Sequence, residues 1–241
     1  MRIVGFLYGI ICYGIFLVTF VYAIGFLCNV GVPRSVDAGG PEASTAVAAA
    51  MNVGLLGLFA LQHSIMARPG FKDLWTKIVP VPLERSTYVL LSALVMALLF
   101  WQWRPMPLLI WDVQAPAARW TIWSLCATGW ALVLLSTCLI NHFHLFGVQQ
   151  VWQLIRKQEP NPIHFREPFL YRFVRHPLYV GWIMTFWVTP SMTVGHLLFA
   201  VVATAYILVA IRFEEKDLKN LHPEYVEYSK RVPMLIPRLR R

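Results

Sequence analysis

Charge is scarce in this chain. Only 14% of its residues are charged, with 12 Asp and Glu among 241. Ordinary soluble domains carry about 25%, so a solvated globular surface is excluded for most of its length. Cysteine chemistry is equally thin: Cys12, Cys28, Cys126 and Cys138 fall within or at the edges of apolar runs, with no Cys-x-x-Cys. That spacing suits small buried residues rather than disulfides, zinc ligands or nucleophiles. There is no heptad, no Gly-rich phosphate loop and no Rossmann fingerprint. A soluble-type nucleotide domain would need a βαβ unit of its own, so any such ligand must be held by helices and their connecting segments. No internal repeat and no paired broken helices are visible, which argues against a transporter.

What is present is hydrophobicity: 58% of the residues are apolar and the mean hydropathy is +0.57. Six apolar runs can be drawn, at 3–28, 44–66, 87–103, 120–140, 177–191 and 194–211. The first four approach or exceed the roughly 17–25 residues that cross a bilayer. The last two are short, and Pro190, Ser191, Thr193 and Gly195 mark an uncharged turn between them. The pattern predicts an all-α polytopic membrane helical bundle of about six spans, with a short C-terminal helical hairpin and a cytoplasmic cofactor pocket. Residues 1–241 form a single membrane domain in this reading, with 1–140 as a four-span scaffold and 141–241 as the working half.

With six spans, every Lys and Arg except Arg34, Arg104 and Arg119 falls on one face. The positive-inside rule then puts both termini in the cytoplasm. The net charge of +9 is thus a topology signal, with the flanking cations available to anionic lipid heads and no nucleic-acid partner expected. Met1-Arg2 resembles the start of a signal peptide, but the run behind it is too long and lacks a clear cleavage site, so it stays as the first span. Residues 31–44 read as a small-residue outer loop without chemistry.

Polar density rises from Asn141. Asn141-His142-Phe143-His144 closes the fourth run, and an interfacial, partly helical segment follows over 148–174, broken at Pro160 and Pro162 and carrying Gln149, Gln150, Trp152, His164 and Phe165. Arg175-His176-Pro177-Leu178-Tyr179-Val180-Gly181 then opens the hairpin, and Glu214-Glu215 close it. Each has a bland reading: Arg175 as an interfacial anchor, Pro177 as a first-turn proline, Glu215 and Lys219 as an ordinary i,i+4 pair, Tyr225 and Tyr228 as packing for a tail helix. Together they put a basic-aromatic cluster and a carboxylate pair at one membrane face, a costly arrangement unless something binds it. A zwitterion with an extra positive charge satisfies both ends, and S-adenosylmethionine is such a molecule.

The ordered set Arg-His-Pro-x-Tyr-x-Gly, Glu-Glu-x-x-Leu, Tyr-x-x-Tyr-x-x-x-Val-Pro, over about 171–237, resembles the integral-membrane methyltransferase superfamily. Its members include isoprenylcysteine carboxyl methyltransferases, phospholipid N-methyltransferases and NnrU-like proteins. Asn141–Trp152, Thr189–His196 and Arg231–Pro237 extend the likeness to bacterial methanethiol S-methyltransferases over roughly 120–241. That resemblance implies methylation of methanethiol to dimethyl sulfide with S-adenosylmethionine. It maps Arg175, His176, Tyr179, Glu214 and Glu215 onto the cofactor-binding motif, and Gly181 is counted with them as a cofactor-binding candidate. From charge alone, Arg175 and His176 are expected on the donor's carboxylate and Glu215 on its ammonium or ribose, with Tyr179 completing the pocket. Thiol methylation also needs a proton acceptor, for which His142, His144 and His176 are the candidates. His142-x-His144 alone does not define a metal site, and none is expected. Isoprenylcysteine or phospholipid acceptors fit the superfamily motif equally well. A sterol-type reductase binding NADPH shares an Arg-His-Pro-x-Tyr pattern but lacks the Glu-Glu placement, and a non-enzymatic NnrU-like protein is the remaining alternative.

Overall fold

In the computed structural model, which describes residues 2–159 and 165–237, helices dominate. They are α1 (Arg2–Cys28), α2 (Thr45–Ala67), α3 (Pro69–Trp75), α4 (Val81–Gln102), α5 (Pro116–Ile140), α6 (His142–Leu145), α7 (Val148–Arg156), α8 (Pro177–Trp187), α9 (Val194–Leu221) and α10 (Pro223–Arg231). Two short strands, β1 (Leu109–Asp112) and β2 (Ser191–Thr193), pair with each other. A single 3₁₀ turn spans Phe169–Arg172. Pro160, Pro162, His164, Arg238, Arg240 and Arg241 lie outside the described residues.

Helices α1, α2, α4, α5 and α9 are long and apolar enough to cross a membrane. Their outward faces carry bare hydrocarbon: Ile3, Val4, Leu7, Ile11, Val18 and Val21 on α1 are all exposed. An aqueous protein rarely leaves so continuous an apolar surface uncovered. The chain is a multi-pass membrane protein.

The C-terminal hairpin departs from expectation. Helix α8 has 11 residues, about 16 Å at 1.5 Å per residue, and is indeed short. Helix α9 is not: it runs 28 residues, straight through Glu214 and Glu215 rather than stopping at 211. A hydropathy run ends at the first charge, whereas a helix ends where its backbone hydrogen bonding does. Arg212, Phe213, Lys216, Leu218 and Lys219 are competent helix formers, and Glu215 faces Lys219 one turn on at 3.9 Å.

The chain forms two compact units interleaved along the sequence. The first comprises 1–109, 142–161 and 193–199. In it α1 packs on α4 and α7, and α2 packs on α4. Met66, Tyr88 and Val89 form a buried cluster with Phe16, Phe71, Trp75 and Phe146 around it. Asn52 on α2 is fully buried and satisfied on both sides of its amide by the Arg104 backbone, at 2.8 and 2.9 Å, as a polar group in an apolar interior must be. Gly147 has φ +86° and would place a Cβ 2.8 Å from the Ser86 backbone nitrogen, so no side chain is tolerated where α7 begins.

The second unit comprises 110–141, 162–192 and 200–241. Its main contact is α5 against α8. A Cβ on Gly181 would sit 2.9 Å from the Gly129 carbonyl oxygen, and one on Gly129 would sit 2.9 Å from Met184 Cβ. The two helices cross with their backbones nearly touching, the close approach that small residues permit inside membranes. Helix α8 is tied to α9 by Trp187 Nε1 donating to Thr204 Oγ1 at 2.9 Å. At the far end of α8, Trp111 Nε1 donates to the Thr189 carbonyl at 3.2 Å and Ser191 Oγ to Asp112 at 2.6 Å.

Candidate active site

The cluster is built by three pieces of the second unit. Pro177 fixes the first turn of α8, where its missing N–H costs nothing, and this sets Arg175 and His176 immediately before the helix and Tyr179 on its first turn. Helix α9 carries Glu214 and Glu215. The last turn of α10 and the segment after it supply backbone carbonyls.

Arg175 lies between these pieces with its guanidinium spread across two of them. Nε and Nη2 both reach Glu215 Oε1 at 2.7 Å. Nη1 donates to the Ser229 carbonyl at 2.8 Å and to the Val232 carbonyl at 2.5 Å. The Arg175 and His176 main-chain N–H groups donate to the carbonyls of Pro233 and Met234, at 2.9 and 3.2 Å, so the C-terminal segment is strapped across the motif. His176, buried, donates from Nε2 to the same Glu215 oxygen at 3.0 Å. Tyr179 donates its hydroxyl to Glu214 Oε2 at 2.8 Å. The side chains of Arg175 and Glu215 are each only 12% exposed. A pair this dry holds only when geometry and extra hydrogen bonds offset the desolvation of both charges, which the carbonyls and His176 do here.

Sequence reasoning set Arg175 and His176 at the anionic end of a ligand and Glu215 at the cationic end. The structure brings all three together on one another, with Tyr179 on the neighbouring carboxylate. Gly181 is buried at the crossing with α5 and serves close helix packing. His142 and His144 belong to the first unit. His142 Nε2 shares a hydrogen bond with the Tyr13 hydroxyl at 2.9 Å, inside rings of Tyr13, Phe143 and Phe146. The carbonyl of His144 accepts from Gln150 at 3.0 Å. Burial lowers both imidazoles below the ordinary 6.5, helped for His144 by the positive charges of Arg85 and Lys72. Among the described residues no group of His, Cys, Asp and Glu could hold a metal.

Residues 165–172 and α10 also belong to the site. Arg231 Nη2 reaches both oxygens of Glu167 at 2.8 and 2.7 Å, and the Tyr228 hydroxyl donates to the Tyr171 carbonyl at 2.6 Å. Tyr225, Tyr228 and Val232 are buried together, against Phe165 and Leu218. The Tyr-x-x-Tyr spacing at 225 and 228 was the signal for this buried face. Nothing in the spacing of Tyr171 or Glu167 announced theirs.

The molecule is thus a bundle of membrane-length helices whose Arg-His-Pro-x-Tyr turn clasps a Glu-Glu pair. Residues 123–220, from α5 to the Glu pair and beyond, match the model of the isoprenylcysteine carboxyl methyltransferase (ICMT) family. The chain is 53% identical over 232 residues to a methanethiol S-methyltransferase of Crocosphaera subtropica, covering 96% of this chain and 91% of that one. It is also 53% identical over 232 residues to the methanethiol S-methyltransferase of Mycobacterium tuberculosis, covering 96% and 95%. Nurim of Sus scrofa is 30% identical over 214 residues, 80% of each chain. No solved structure matches. The chain belongs to the methanethiol S-methyltransferase family, and it is an enzyme that methylates a thiol.

Proposed function

We propose that this chain transfers the methyl group of S-adenosylmethionine to methanethiol, yielding dimethyl sulfide. The observation that carries the reading is the clasp of Arg175 and His176 on Glu215, with Tyr179 on Glu214, in a chain of this family. The donor set fits such a cofactor: two carboxylates suit a ligand with an ammonium and a sulfonium, and buried phenols and rings surround them. When bound, S-adenosylmethionine supplies an electrophilic methyl on a sulfonium, which a thiolate takes in line while two opposite charges cancel.

The protein's own residues do the rest. Glu214 and Glu215 present negative charge to the cationic end of the donor. Arg175 and His176 hold Glu215 in place, and Tyr179 holds Glu214, so neither carboxylate has to reorganise when the ligand arrives. Gly181 lets α8 lie close enough to α5 to carry the motif. His142, His144 and His176 are the candidates to take the thiol proton. Burial keeps His142 and His144 neutral near pH 7 and therefore able to accept it. A small apolar thiol reaches such a site through the membrane. Both termini face the cytoplasm of a bacterial inner membrane in this reading, with the flanking cations on anionic lipid heads.

Ligand binding to the full chain in detergent tests the donor. S-adenosylmethionine should bind and NADPH should not. Binding of NADPH alone would replace the methyl-transfer reading with a reductase.

A further inference from the structure

Trp75, at the end of α3, has a buried indole N–H with no hydrogen-bond partner among the described residues. The half-buried ring stacks on Phe71 at 5.7 Å, and both rings pack against the buried cluster of Met66, Tyr88 and Val89. A donor shut away from water and left unpaired is destabilising. This N–H therefore points to an acceptor that the chain itself does not supply.

Arg85 meets the same cluster, its guanidinium carbon 5.0 Å from the centre of the Tyr88 ring. Its Nε donates to the Leu145 carbonyl at 2.7 Å, and the Tyr88 hydroxyl is engaged with the His63 ring at 2.9 and 3.1 Å. The two Nη groups of Arg85 have no hydrogen-bond partner among the described residues. Lys72 lies three residues before Trp75, on the same face of α3. Burial apart, the charges that act on His144 are those of Arg85 and Lys72, so α3, α4 and α6 bring two cations to one place. Unpaired N–H donors beside two positive charges suit an anion with several acceptor oxygens.

Depth narrows the anion further. Helices α2 and α4 are both of membrane-crossing length, and the connection between Ala67 and Val81 therefore lies at the level of the lipid headgroups. Phosphodiesters line that level, and basic clusters between helices there hold anionic heads. A choline-type head would bring its own cation against Arg85 and Lys72, which disfavours it. We propose that Trp75 Nε1 and the Nη groups of Arg85 bind the phosphodiester of an anionic phospholipid, with Lys72 adding its charge. The site belongs to the first compact unit and does not rest on the methyl-transfer reading. It narrows the general pull of basic flanks on anionic lipid to one named set of residues.

Native mass spectrometry of the full chain in detergent tests the site, with dioctanoyl phosphatidylglycerol, dioctanoyl phosphatidylcholine and inorganic phosphate as probes. Phosphatidylglycerol should bind more tightly than phosphatidylcholine, and equimolar phosphate should not displace it. Trp75→Phe keeps a ring on Phe71 and loses only the N–H side of the indole. It should weaken phosphatidylglycerol about tenfold, the worth of one charge-assisted hydrogen bond. Arg85→Gln should weaken it at least as much. Lys77→Gln, at an exposed cation of the same connection, should leave it unchanged. Full binding by Trp75→Phe overturns the assignment. So does equal weakening by Lys77→Gln, which would mean diffuse surface attraction, or displacement by phosphate, which would mean a free anion.

Discussion

Glu215 receives Arg175 and His176 on one oxygen, within 2.7 and 3.0 Å. Glu215→Gln removes the charge from a pair 12% exposed on each side and leaves Arg175 without a counter-ion. Breaking such a pair costs about 3–5 kcal/mol, and chemical denaturation in detergent should show a loss of that order alongside loss of donor binding. His144 makes a prediction in pH. Its folded pKa is lowered from 6.5 by burial, then by Arg85 and Lys72. The unfolded chain therefore takes up a proton before the folded one does. Stability from this residue is complete above about 6.5 and drains away as pH falls below it. His144→Gln should flatten the acid limb of a stability-against-pH curve. A curve unchanged by that substitution contradicts the burial of the ring. The residues of the clasp were readable in sequence because proline, histidine and paired carboxylates are rare next to long apolar runs. Their partners were not, because an arginine that binds a ligand and one that binds a glutamate look identical until α9 is seen to bring Glu215 to Arg175.

At the scale of elements, the crossing of α5 and α8 rests on Gly129 and Gly181. Gly181→Ala drives a Cβ to 2.9 Å of the Gly129 carbonyl oxygen and of Val133. Overpacking of this kind costs about 1–3 kcal/mol, and because α8 carries Tyr179 it should lower donor affinity as well as thermal stability. Gly14→Ala meets nothing within 4 Å and should leave both near their original values. The first four apolar runs were legible to within a few residues of α1, α2, α5 and the end of α4, since an apolar stretch of that length has little alternative in lipid. The start of α4 at Val81 was not, because Glu84 and Arg85 hide it from hydropathy. The true length of α9 was hidden for the same reason. Helix α3 and the pairing of β1 with β2 have too few residues to leave a periodic trace.

The whole molecule poses one further question, the orientation of its basic faces. Topology reporters fused after residues 36 and 76 should report opposite sides, with residue 76 in the cytoplasm. The same side for both would break the charge-based arrangement. The central claim is chemical, and one measurement reaches it most directly. Membranes carrying the protein are supplied with methanethiol and methyl-deuterated S-adenosylmethionine, and the headspace is read by mass spectrometry. Labelled dimethyl sulfide should accumulate, and should vanish in Glu215→Gln membranes. An unlabelled headspace from membranes whose protein binds the donor would contradict methanethiol as the acceptor.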